Sequence, residues 1–178
     1  MIGQIIALLE RLLAFFEGTG VVVESRKTLA AAGDYAANDV LSESATDTAG
    51  RWWTFYDCAR APGRSFWITG VRVTCDEDSI LARVRLHFFR LPPGASELDD
   101  NAAFALAAPD DLHYLQHVDL PAFADRGGFS AAGDDSVRKM ITPFLTSRHI
   151  YMIAELLDAE TGETAGMIMR FELEIERL

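Results

Sequence analysis

The hydrophobic positions of this chain change their period near residue 20. Before it, Ile2, Ile5, Leu9, Leu12 and Phe16 recur at alternating three- and four-residue steps, the seam of a helix. Ile6, Leu8, Leu13 and Phe15 flank that seam, leaving Gln4, Glu10 and Arg11 as clearly polar positions. A helix so apolar around its circumference needs cover on several sides. At this length it is marginal alone in water. Gly18 and Gly20 mark its end. The spacing predicts a helix in residues 1–18 and a separate folding unit in 19–178.

From Val21 onward the period becomes two. Met169, Phe171, Leu173 and Ile175 alternate with Arg170, Glu172, Glu174 and Glu176, which predicts a strand with one face on a core and one in water. Val71 to Cys75 alternates likewise, and so does Ala82 to Phe88, with Arg83, Arg85 and His87 on the polar side. His149 to Leu157 is apolar on both faces, as a central or interface strand is. Asp158 to Gly166 reads as the loop of a hairpin joining the last two strands, and Pro92-Pro93-Gly94 and Gly127-Gly128 mark other loops. Leu98 to Arg126 has poor periodicity, predicting a long connection with one short helical turn near Ala102. Short strands with turns every dozen residues predict a mainly β fold: an antiparallel β-sandwich, jelly-roll-like, with a short hydrophobic N-terminal helix.

Composition narrows the partners. A chain of 178 residues buries enough surface to fold without disulfides or metals. Its net charge of −11 argues against nucleic acid as a ligand and disfavours anionic membranes. Residues 1–16 lack the basic start of a signal peptide, carry Glu10 and Arg11 mid-run, and are too short to span a bilayer. An untargeted chain is expected. Cys58 and Cys75 lie in apolar runs and read as buried free thiols, with a bridge open only if their strands are neighbours.

Candidate chemistry is sparse. The chain has no phosphate loop, dinucleotide fingerprint, nucleophile elbow or Cys-x-x-Cys pair. His113 and His117, with Asp110, Asp111 and Asp119 nearby, have the spacing of a metal half-site, but Tyr114, Leu115 and Gln116 between them offer no general base. Asp99-Asp100-Asn101 and Asp76-Glu77-Asp78 are oxygen-rich, yet lack a calcium-loop pattern and read as turns or caps. Trp52, Trp53, Phe55, Tyr56, Phe66 and Trp67 read as core and interface packing, with a sugar-stacking platform as the alternative, and Arg64 and Arg72 read as stacking cations. No catalytic residue, cofactor or metal is expected.

Four segments resemble a known family. Tyr35-Ala36-Ala37-Asn38-Asp39-Val40 resembles a Tyr-Ala-x-Gly-Asp-Val motif of bacteriophage virion proteins, with Asn38 at the glycine position. Ala59 to Gly63 is similar to the Ala-Arg-x-x-Gly element that follows in that family, with one insertion. Arg85 to Pro93 resembles its Leu-x-Leu-x-Phe strand running into proline, and Asp100-Asn101-Ala102-Ala103-Phe104 its Asp-Asn-Ala-Ala-Phe motif. The resemblance covers about residues 35–121. It implies a β-sandwich that decorates or cements a capsid, with the major capsid protein or other virion proteins as partners, in a virion made in the host cytoplasm. Other head-completion, tail or fibre-associated virion proteins, or a carbohydrate-binding sandwich, are the alternatives. The apolar stripe of the first segment makes Ile2, Ile5, Ile6, Leu9, Leu12, Leu13 and Phe16 the expected interface, in a homo-oligomer of three or more copies or in a capsid groove, with packing on the sandwich of its own subunit as the alternative.

Overall fold

The computed structural model describes residues 20–30, 33–44, 52–78, 80–161 and 166–178. The expected N-terminal helix lies outside them. Eleven strands are described: β1 (Gly20–Thr28), β2 (Val40–Leu41), β3 (Trp53–Phe55), β4 (Phe66–Cys75), β5 (Val84–Phe89), β6 (Tyr114–Leu120), β7 (Ala124–Asp125), β8 (Ser130–Asp134), β9 (Lys139–Ile141), β10 (Ile150–Leu156) and β11 (Ile168–Arg177). They form two antiparallel sheets. The first runs β1-β11-β4-β8-β7, with β9 also on β4; the second runs β2-β10-β5-β6, with β3 also on β10. The chain passes from sheet to sheet as it goes, β3 to β4, β4 to β5, β10 to β11, and so wraps a jelly-roll sandwich.

The alternation of β11 explains its place. Met169, Phe171, Leu173 and Ile175 are all buried between the sheets, and their charged neighbours face outward. Phe171 meets Trp53 of the opposite sheet edge to face, ring centres 4.6 Å apart, and the Trp53 indole N–H donates to the Leu41 carbonyl at 3.1 Å. Gly70 on β4 sits where β11 bulges between Glu174 and Ile175. A Cβ there would stand 2.9 Å from the Glu174 carboxylate.

Three expectations need correction. The segment after β10 does not close a hairpin, because β10 and β11 belong to different sheets. Glu160 anchors the crossing: its backbone exchanges both hydrogen bonds with Tyr35, and its carboxylate accepts the N–H groups of Leu81 and Ala82. The poorly periodic stretch holds a full strand, β6. A register shift opposite Phe88 and Phe89 breaks its alternation, so that Leu115 packs on the main core and Tyr114 on a second cluster. The helical turn lies at Ala108–Asp111, with a proline in its first turn, and not at Ala102.

The outer faces of the two sheets differ. That of the first sheet carries Arg26, Arg170, Glu172 and Glu174 to solvent or its margin. That of the second is roofed by the loop after β5, and Val40, Phe89, Leu98 and Ile153 form a small core beneath it, with Trp52, Phe104, Tyr114 and Tyr151 packed alongside.

Candidate functional site

The first and last of the motif segments, some sixty residues apart in sequence, meet in one hydrogen-bonded knot at the edge of the second sheet. The buried Tyr35 hydroxyl donates to one Asp100 carboxylate oxygen at 2.9 Å, and the Ser42 N–H donates to the other at 2.7 Å. The Ala36 N–H donates to Asp39 at 2.7 Å, and the Asn101 amide, in its satisfied orientation, donates to the same oxygen at 2.8 Å. Backbone bonds stitch Val40 to Ala102, Asn101 to Val40 and Phe104 to Asn38. Asn38 and Asn101 have φ of 74° and 58°. Such left-handed backbone favours glycine and admits asparagine, which is why position 38 accepts the exchange. The polar atoms named here bond to other parts of the same chain.

The remaining candidates are dispersed. His117 accepts from or donates to the Tyr114 hydroxyl at 3.1 Å, and Asp119 is clamped by both nitrogens of Arg85 at 2.7 and 2.9 Å. That Arg85 pairing holds the Asp119 carboxyl below its usual range. Asp110 accepts from the N–H groups of Gly94, Ala95 and Ser96 and from the Ser96 hydroxyl. Burial works to raise its pKa, but those four donors outweigh it and the net shift is downward. Asp110 and Asp119 are thus spent on protein partners, and among the described residues no three His, Cys, Asp or Glu side chains gather as a metal shell. Asp76 accepts the Ile168 N–H at 2.5 Å, as a turn carboxylate does.

Cys58 and Cys75 are both buried and free, and burial pushes each thiol up to about 12, far from thiolate chemistry. The aromatic run divides. Trp53, Phe55 and Phe66 are fully buried in the main core. Trp67 lies half-buried with Arg138 over its ring at 5.0 Å, whereas Arg64 and Arg72 are exposed. Trp52, Thr54 and Tyr56 point away from the main core and, with Ser25, Arg26, Lys27 and Glu43, line a groove of about 410 Å3.

Among the described residues, that groove lies on the side of the sandwich where the two sheets are not joined by strand pairing. It runs between β1, whose described partner is β11 alone, and β3, whose described partner is β10. Lys27 closes its floor, paired to Glu43 at 2.6 Å and set 5.9 Å from the Trp53 ring centre. The expected interface residues Ile2, Ile5, Ile6, Leu9, Leu12, Leu13 and Phe16 lie outside the described residues, in the segment leading into β1.

Two features escape a reading of the sequence. His87 belongs to the polar side of β5, yet it is buried, bonded to Glu155 at 2.7 Å and capped by the Phe104 ring at 4.5 Å. The roof over this face comes from a loop that periodicity does not reveal. The edge position of β1 is set by topology, although its charge pattern is visible.

No family model matches the chain, and no curated protein matches it. Among solved structures, tomato aspermy virus aligns over 98% of this chain and 95% of that chain, at 8% identity and a TM-score of 0.36. Murine APRIL aligns over 86% and 99%, at 8% identity and a TM-score of 0.30. The C-terminal CBM6 of LamC, a marine laminarinase from Zobellia galactanivorans, aligns over 85% and 98%, at 9% identity and a TM-score of 0.28. Likeness this weak carries no weight for any role.

Proposed function

We propose that this chain is a non-enzymatic structural protein of a bacteriophage particle, decorating or cementing the capsid through protein contacts and self-association. The observation that supports this reading is the knot. Two of the four segments that resemble phage virion proteins, Tyr35 to Val40 and Asp100 to Phe104, come together as one structural unit on a jelly-roll sandwich. A motif spent wholly on architecture suits a protein whose product is a surface. Fold alone does not assign the role, since jelly rolls serve capsids, lectins and enzymes alike. Partners are then the major capsid protein or other virion proteins, and further copies of the chain, three or more if Ile2, Ile5, Ile6, Leu9, Leu12, Leu13 and Phe16 bundle on a symmetry axis. Burying about six large side chains at roughly 1.5–3 kcal/mol each gives ample gross energy for that contact.

Mass spectrometry of purified particles tests the reading. A stoichiometric component with one copy per capsid subunit or per capsomer fits decoration, and a few copies per particle fits a head-completion or tail part. Absence from particles overturns the proposal. Deleting residues 1–17 tests the segment: a folded, more soluble protein that loses its oligomeric state or capsid pelleting is expected. A second reading, a carbohydrate-binding module, is favoured by one observation, the alignment of Trp52, Thr54 and Tyr56 along a groove with charged walls.

A further inference from the structure

The pairing of β1 with β11 contains two mismatches. Glu24 stands opposite Glu172, and Arg26 stands opposite Arg170. Like charges directly across an antiparallel pair repel. Arg170 relieves one of them by reaching diagonally to Glu24 at 2.6 Å while also holding Glu172. Arg26 is exposed and has no ion pair among the described residues. The charges of β1 are therefore out of phase with its own sheet.

They are in phase with a copy of β1. In an antiparallel self-pairing centred on Ser25, residue positions that sum to fifty face each other. Glu24 then faces Arg26 of the second copy, Arg26 faces its Glu24, and Val22 faces Thr28. Shifting the centre to Glu24 or Arg26 would place that residue against its own charge. Among the described residues β1 hydrogen-bonds as a strand with β11 alone, and β3 lies near its other side without pairing to it. Opposed residues in such a pair share a face of the sheet, so both salt bridges lie on the outer, solvent side with Val22, itself 59% exposed. On the inner side, Ser25 and Lys27 already line the groove with Trp52 and Tyr56, which gives the second copy apolar rings to pack on.

We infer that β1 is a homodimer edge: two copies join antiparallel about a twofold axis at Ser25, extending the first sheet across both sandwiches, with Glu24 and Arg26 exchanging salt bridges. An isologous contact of this kind closes on itself and leaves the rest of the surface for other partners. It adds a second contact to the assembly role proposed above and rests on that reading only for its biological use.

The test is register-specific crosslinking of the full chain. Opposed Cα atoms in an antiparallel pair are about 4.5–5.5 Å apart, within the span of a disulfide. Under mild copper-phenanthroline oxidation, Ser25→Cys should form a disulfide-linked dimer and Val22→Cys should not. The native thiols are buried and do not compete. Adding Arg26→Glu should abolish the Ser25→Cys dimer, because Glu24 then meets a glutamate. Adding Glu24→Arg as well should restore it. Within the chain, the first exchange sets a carboxylate across from Arg170 and the second a guanidinium across from Glu172, so folding is favoured in each, which thermal melting would verify. Failure of Ser25→Cys to crosslink, equal crosslinking by Val22→Cys, or indifference to the charge exchanges would each overturn the inference. A dimer formed by a chain absent from particles would keep this contact and remove the virion reading. A particle component that never crosslinks at Ser25 would do the reverse.

Discussion

The motif knot and the β1 edge place charged side chains under opposite regimes. In the knot, Asp39 and Asp100 are buried, yet their oxygens meet a tyrosine hydroxyl, backbone N–H groups and an asparagine amide from the same chain. At the edge, Glu24 and Arg26 are exposed and face their own charge type on β11. Buried carboxylates demand partners because desolvation is costly without them. Exposed ones tolerate mismatch at a cost of a few tenths of a kcal/mol, so a mismatch kept there costs little while the chain is alone. Complete local satisfaction marks architecture, whereas Glu24 is answered only diagonally by Arg170 and Arg26 by no ion pair among the described residues, which leaves charge for a partner.

The largest effect belongs to the core beneath both regions. Phe171→Asp buries an unpaired charge against Trp53 and should leave no soluble folded protein, as seen by expression and circular dichroism. Next comes the knot: Asp100→Ala removes the carboxylate that accepts from the Tyr35 hydroxyl and the Ser42 N–H and should cost about 2–4 kcal/mol in urea denaturation. Asp110→Asn should cost about 1–3 kcal/mol at neutral pH by weakening the brace on the 94–96 loop.

Acid should expose the same logic. Asp110, Asp119 and Asp158 have carboxyls held below the ordinary value of 3.8, Asp158 at about 2 through its Arg83 hydrogen bonds. A group depressed in the folded state binds its proton first in the unfolded chain. Its contribution is therefore complete above the ordinary carboxylate range and is lost as pH falls through the folded values. Stability measured against pH should decline below about 4, and the decline should be shallower in Asp110→Asn. At the small end, Glu172→Gln removes a repulsion with Glu24 and one arm of Arg170, and should shift stability by no more than about 0.5 kcal/mol.

Much of the sandwich is readable because its strands obey a strict period of two. The register of β11, with Phe171 inward and Glu172 outward, follows from alternation alone. Legibility fails where tertiary structure overrides the period: at β6, where a register shift moves Tyr114 and Leu115 to different cores, and at His87, roofed by Phe104. The crossing after β10 is misread because turn residues announce a reversal but not which sheet receives the next strand. For the candidate site, the motif residues are visible but their roles are not. Asp99-Asp100-Asn101 reads as a turn, and only the fold brings Tyr35 and Ser42 onto Asp100. The open side of β1 depends on topology, which no local pattern encodes.

In the proposed assembly, the charged edge of β1 is completed by another copy of the chain. Sedimentation velocity across a concentration series, on the full chain and on Arg26→Glu, tests it most directly. The wild-type average mass should rise above the 19.6 kDa of one chain with concentration, and Arg26→Glu should lower it at every concentration while melting no earlier. A wild-type protein that sediments as a monomer throughout, or two superimposable curves, would contradict the claim.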